Sequence, residues 1–275
     1  MQKTRLLAVA NLIAFIVHVC ISYGSQFKLI NDKAVGDISD SYPSLFTPAG
    51  FTFSIWGVIY ISLSALVVYH LVMARKKTAD HPANRDLLRM GPWFILNNIA
   101  TALWTVVWTG EQLLLSVILI IVQLISLVII HRSLNIYDLS RTIQSKAFTQ
   151  FPLSIYLGWI SIATIANTST YLASINWTGG LAPETWTVIM ITVAVLLTAV
   201  VVFTRRNVFY GLVVVWALYG ILSKRNSEGG DYSQIVYTAW AGLIITAIIC
   251  AIQTLRNSML SRRMDLNIGV TSKTS

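Results

Sequence analysis

Charge is scarce in this sequence. Asp, Glu, Lys and Arg supply 11% of its 275 residues, against about a quarter in an ordinary soluble domain. With 55% hydrophobic residues and a mean hydropathy of +0.67, that scarcity excludes a soluble globule and calls for an integral membrane protein. Cysteine is also rare. Cys20 and Cys250 lie in separate apolar stretches, which excludes a disulfide framework and a Cys-based metal site and leaves packing as their role. No HExxH, CxxC, phosphate-binding Walker loop or serine elbow occurs, so the familiar hydrolase and nucleotide motifs are absent.

What the sequence has in abundance is long apolar runs. Eight can be drawn, at about residues 6–23, 52–74, 91–109, 112–131, 150–173, 185–204, 207–223 and 235–255, each near the length that crosses a bilayer. The start, "MQKTRLLAVANLIAFIVHVCISYG", imitates a signal peptide. No small-x-small cleavage pattern follows it, and it reads as an uncleaved first span. With the N-terminus inside, 16 of the 20 basic residues fall on the inner side, and seven of the 11 acids fall outside. This bias predicts eight spans with both termini cytoplasmic. It also accounts for the net charge of +9 by topology, so nucleic acid is excluded as a partner. No acid lies within a span, which argues against a carboxylate proton relay.

Two segments break the pattern. The first outer loop, about residues 24–51, is much longer than the other outer connections, and the tail from residue 257 is polar and reads as disordered. The long loop ends in "PSLFTPAGFTFSIWGVIY", where prolines forbid helix and aromatic residues crowd the start of the second span.

Polar residues inside spans need a protein partner or a wet cavity. Trp56 and Tyr60 lie four apart in the second span, hence on one face. In the third, Asn97, Thr101, Trp104 and Trp108 form one stripe, and in the fifth Tyr156, Trp159, Ala163 and Asn167 share a face. Gln123 sits in the fourth span and His18 near the outer end of the first. Trp108, Trp177 and Trp186 border outer loops, where tryptophan serves as an interfacial anchor. Faces that combine Trp, Tyr and Asn point instead to a packed helix interface or an aromatic-lined cavity. His18 reads as a hydrogen-bonded histidine rather than a haem ligand.

"LFTPAGFTFSIWGVIYISLSALVVY" resembles the first loop and second helix of the TspO/MBR family, the tryptophan-rich sensory proteins and peripheral-type benzodiazepine receptors. "LNNIATALWTVVWTG" is similar to that family's third helix and "IYLGWISIATIAN" to its fifth. Departures are visible. Thr101 stands at the family's third-helix Asn, Ile155 stands at the usual proline before Tyr156, and no basic residue follows Tyr171 to complete a sterol-type motif. The resemblance covers about residues 1–175. It implies an all-α bundle of five membrane helices, extended here by three spans over residues 176–256, with a pocket for flat hydrophobic ligands beneath the first loop.

The resemblance therefore implies a ligand site at Trp56, Tyr60, Thr101, Trp104, Tyr156, Trp159 and Asn167. The rings would stack on a porphyrin, a haem-like molecule or another flat apolar ligand, and Thr101 or Asn167 would bond a polar edge. No cofactor is required and no metal site is expected. The role would be sensing, stress response or transfer. The partners to expect are membrane lipid and a hydrophobic small molecule, with homodimerisation left open. A small-solute transporter is a rival reading, as is an enzyme that degrades porphyrin, although no acid–base set identifies one. The charge bias and the family together point to a bacterial plasma membrane.

Overall fold

The computed structural model describes residues 2–271, with side chains described as far as Arg263. Within those residues the chain is helical, with no strands. In hydrocarbon, backbone N–H and C=O groups have no water to bond, so each apolar run must satisfy them within its own helix. The long helices are α1 (Gln2–Gln26), α3 (Ile55–Lys76), α5 (Trp93–Thr109), α6 (Leu113–Leu134), α8 (Phe151–Ser174), α9 (Pro183–Arg205), α10 (Val208–Ser227) and α11 (Ser233–Thr271). Short elements join them: α2 (Val35–Ser41) and a 3₁₀ turn (Gly50–Ser54) in the first loop, α4 (Pro82–Met90), and α7 (Ile143–Ser145) running into a π-helical turn (Lys146–Gln150). The segment read as a polar tail continues as α11 to Thr271, and residues 272–275 lie outside the described ones.

The protein is an integral membrane protein. Among the described residues, seven helices are long and apolar enough to span a bilayer. The eight expected spans differ from this by α5, which at 17 residues is one turn or so below the usual span. It is nonetheless the most enclosed of the early helices in its surroundings, packing on α1 along one side and α6 along the other.

Pairwise packing closes a ring. α1 contacts α5, α5 contacts α6, α6 contacts α8, α8 contacts α3, and α3 returns to α1. α9, α10 and α11 pack on one another, and α10 joins them to the ring through α8. That joint is tight at Gly158. A Cβ there would lie 3.0 Å from the Tyr210 carbonyl oxygen and 3.0 Å from the Val213 Cβ, so the missing side chain lets two backbones meet, as small residues do in membrane bundles.

Each end of the ring is closed differently. At the end carrying the N-terminus, the carboxylate of Asp86 on α4 is 2% exposed and accepts two hydrogen bonds from Arg141 Nη1, at 2.6 and 2.7 Å. Asn84 Nδ2 points at the last carbonyls after α3, reaching Thr78 O at 2.7 Å. At the opposite end the first loop folds down over the ring.

Candidate functional site

The loop is held on three sides. On the first, Asn31, in a left-handed conformation (φ 56°), donates through Nδ2 to Val106 O at 2.9 Å and to Thr109 Oγ1 at 3.0 Å. Beside it Lys33 pairs with Glu111, and Tyr42 OH donates to the other Glu111 oxygen at 2.9 Å. These bonds hold the Glu111 carboxyl below its ordinary range, through Lys33 first and Tyr42 second. Asp37 is lowered in the same way by Lys28, 2.7 Å away. On the second side, Ser44 and Ser169 of α8 share a 2.8 Å hydrogen bond. The third anchor is α10: Trp216 Nε1 donates to Thr52 O at 2.9 Å, Ala49 N–H donates to Gly220 O at 3.0 Å, and Lys224 pairs with Asp40 at 2.6 Å. Gly220 faces Thr52 so closely that a Cβ would occupy the space of its hydroxyl.

Beneath the loop the ring is hollow. A chamber of about 460 Å³ lies among α1, α2, α3 and α5, with Ser22, Phe53, Trp56, Tyr60, Thr101 and Trp104 in its wall. Its size is that of a small-molecule site. A narrower cleft of about 40 Å³ adjoins it, bounded by Trp104, Trp108, Gln123, Trp159 and Asn167. Val35, Phe53, Trp56 and Trp104 border both. The rings line the hollow in two groups: Trp56 stacks on Tyr60 with centroids 5.3 Å apart and meets Trp159 edge-on at 6.3 Å, while Trp104 stacks on Trp108 at 5.5 Å.

Of the residues singled out in the sequence, Trp56, Tyr60, Thr101, Trp104, Trp159 and Asn167 all border the hollow. Tyr156 does not. It is 0% exposed, stands behind the wall, touches Trp56 edge-on at 6.0 Å and shares a 2.8 Å hydrogen bond with Thr101. It therefore forms a second layer that supports the wall and borders neither space.

The polar residues are arranged differently from the sequence expectation. Thr101 Oγ1 is already bonded within the bundle, to Asn97 O at 2.8 Å and Gln123 Oε1 at 3.0 Å besides Tyr156. Asn167 is engaged at both ends: its Oδ1 accepts from Trp104 Nε1 at 2.7 Å and its Nδ2 donates to Ser116 Oγ at 2.8 Å. The buried donors left without a partner at the cleft are Trp159 Nε1 and Gln123 Nε2. An orphaned buried donor is costly, and two at one cleft suit an acceptor brought by a ligand. Gln123 stood out in the sequence as the one amide in the interior of the fourth span, but nothing there connected it to the stripes of the third and fifth spans. His18 lies behind Tyr60, with ring centroids 5.5 Å apart, its Nδ1 2.9 Å from Asn98 Oδ1.

Among residues bordering the two spaces, Asp37 carries the one charge, and it is neutralised by Lys28 at the rim. The hollow is thus aromatic and uncharged in its depth, with hydroxyls of Ser22, Ser54, Thr101 and Thr105 among its borders.

The chain matches the family model described as TSPO-like protein over residues 8–252, a stretch that runs from α1 into α11 and so includes the last three spans. Neither the curated proteins nor the solved structures yield a match.

Proposed function

The chain belongs to the TSPO-like protein family, and on that premise we propose that it binds a porphyrin-like or other flat hydrophobic molecule beneath its first loop, for sensing, stress response or transfer. The observation that carries this reading is the pairing of stacked walls with unmet donors. Trp56, Tyr60 and Trp104 offer ring faces and edges, while Trp159 Nε1 and Gln123 Nε2 await an acceptor. A flat ligand gains by stacking, and a carbonyl or other neutral acceptor substituent on its edge satisfies the donors. An uncharged depth suits a porphyrin whose carboxylates stay at the rim, on the side of Lys28 and Lys33.

The distribution of basic residues favours cytoplasmic termini in a bacterial plasma membrane, so the loop would face outward. Purification in mild detergent, followed by absorbance and mass spectrometry of what remains bound, tests the reading directly. Porphyrin titration against tryptophan fluorescence supplies the affinity. No co-purifying chromophore and no saturable quenching would overturn it.

A further inference from the structure

A second hollow lies outside the ring, and the reading above does not use it. α8 and α9 follow one another in the chain yet make almost no contact, because each packs on α10 instead. The groove left between them has a volume of about 510 Å³. Ile165, Thr168 and Leu172 of α8 form one wall, and Ile189, Met190 and Val193 of α9 form the other. Pro43, Ser44 and Leu45 of the first loop and the turn around Trp177 close one end.

The groove's chemistry changes along its length. Among the described residues, no charged one borders it. The threonines in its walls use their hydroxyls within their own helices: Thr164 donates to Ile160 O at 2.7 Å, Thr168 to Thr164 O at 2.8 Å, and Thr187 to Pro183 O at 2.9 Å. They therefore show methyl groups to the groove. Polar surface gathers at the turn, where exposed Asn176 and Thr178 stand beside Trp177 and Trp186, whose rings lie 5.6 Å apart. Tryptophans at the end of a span mark headgroup depth.

The length is telling. The groove reaches from the end of α8 at Ser174 down to Thr164, and from the start of α9 at Pro183 down to Val193. At 1.5 Å per residue each wall is about 15 Å deep, which is half of a hydrocarbon core roughly 30 Å thick. That is the depth of one leaflet.

We propose that this groove is a resident lipid site: it holds one acyl chain of a glycerolipid of the leaflet on the loop side, with an uncharged or zwitterionic headgroup at Asn176 and Thr178. No lining cation favours an anionic head, and an apolar slot of one-leaflet depth open between two spans fits a chain rather than a flat ring system. The groove's roof belongs to the same first loop that covers the inner hollow: Pro43, Ser44 and Leu45 border the groove, and Pro48 and Phe53 border the inner cleft. A seated chain therefore also steadies residues 43–45.

The experiment is native mass spectrometry of the full chain, released from nanodiscs of phosphatidylethanolamine and phosphatidylglycerol in equal amounts. The wild-type protein is compared with Ala173→Trp and Val193→Trp, each of which fills the groove from one wall, with helicity followed by circular dichroism. The expected result is one lipid per chain surviving activation that strips the loosely held annulus, phosphatidylethanolamine over phosphatidylglycerol by several-fold, and its loss in whichever variant keeps the wild-type helicity. A wild-type chain that sheds all lipid with the annulus overturns the site. So does a folded variant that keeps its lipid. Equal or preferred retention of phosphatidylglycerol overturns the assignment of the headgroup. Should both variants lose helicity, the wild-type retention and headgroup preference decide alone.

Discussion

Asn167 accepts a hydrogen bond from the Trp104 indole at 2.7 Å and passes one on to Ser116 at 2.8 Å. Three helices, α5, α8 and α6, are thereby tied at the wall of the cleft by one side chain. Asn167→Ala leaves the indole N–H without a partner and removes a donor from the Ser116 oxygen, whose hydroxyl still donates to Leu113 O at 2.6 Å. Hydrogen bonds between membrane helices contribute about 0.6–2 kcal/mol, and the orphaned indole adds to the loss. We expect Asn167→Ala to destabilise by about 1–2 kcal/mol in a reversible detergent-unfolding assay. Trp104→Phe in the same background should cost less than it does alone, since the bond it breaks is already gone.

Trp159 separates stacking from hydrogen bonding in the inner hollow. Trp159→Phe keeps a ring and removes the orphaned N–H, and Trp159→Ala removes both. For a porphyrin with a neutral acceptor edge, the Phe variant should bind several-fold more weakly and the Ala variant weaker again, by about 1 kcal/mol for the lost ring. Quenching of the remaining tryptophans measures both. Equal affinities across the three proteins would remove Trp159 from the site.

The α10 clamp governs the lid. Gly220→Ala drives a methyl group into Thr52, and Trp216→Phe removes the 2.9 Å bond to Thr52 O. Both changes should raise hydrogen exchange in residues 43–54 and speed ligand release, while the ring of five helices keeps its protection. Peptide-resolved exchange in detergent reads the first effect, and stopped-flow porphyrin release the second.

The exposed anchors of the loop respond to acid. Glu111 and Asp37 are held below their ordinary values of 4.5 and 3.8 by their lysine partners. A carboxyl with a lowered folded pKa lends its support above the ordinary value and loses it as pH falls through the lowered one. The pairs therefore stay intact at neutral pH and weaken below those ordinary values. Exposed pairs contribute little to global stability, so the effect is local. A nitroxide at Ser41 should be ordered at neutral pH and more mobile near pH 3. In Glu111→Gln its mobility should already be raised at neutral pH, with a smaller acid response.

At the other end, Asp86 is buried against Arg141. Arg141→Met strands a carboxylate, and breaking a buried pair in this way costs about 3–5 kcal/mol. Asp86→Asn together with Arg141→Met should recover much of that loss. The unfolding midpoints of the single and double variants measure the difference.

Much of this architecture could be read from residue order. The apolar runs gave helices because hydrocarbon leaves the backbone no alternative, and the aromatic stripes of three spans do meet inside one ring. What could not be read was partnership. Thr101 and Asn167 look available in a stripe, but their hydrogen bonds are taken by Gln123, Tyr156, Trp104 and Ser116 on other helices. Tyr156 shares a helical face with Trp159 yet falls a layer behind the wall, a matter of depth that periodicity does not encode. α10 carries no stripe of polar and aromatic residues like those of the third and fifth spans, and its hold on the first loop joins residues 164 apart in sequence, beyond any local signal.

That long separation sets an order of events at synthesis. The loop at residues 43–54 leaves the ribosome early, while its α10 anchors, Trp216 and Gly220, come well over a hundred residues later. At 5–20 residues per second, the 164 residues between Thr52 and Trp216 take roughly 8–33 s to make. During that interval the five-helix ring can assemble with its roof fastened only at the α5–α6 turn and at Ser169. An open-mouthed stage is therefore expected of the nascent protein. A truncated chain ending after α8 should display the mouth in that state, with residues 43–54 accessible to a protease that cannot reach them in the finished molecule.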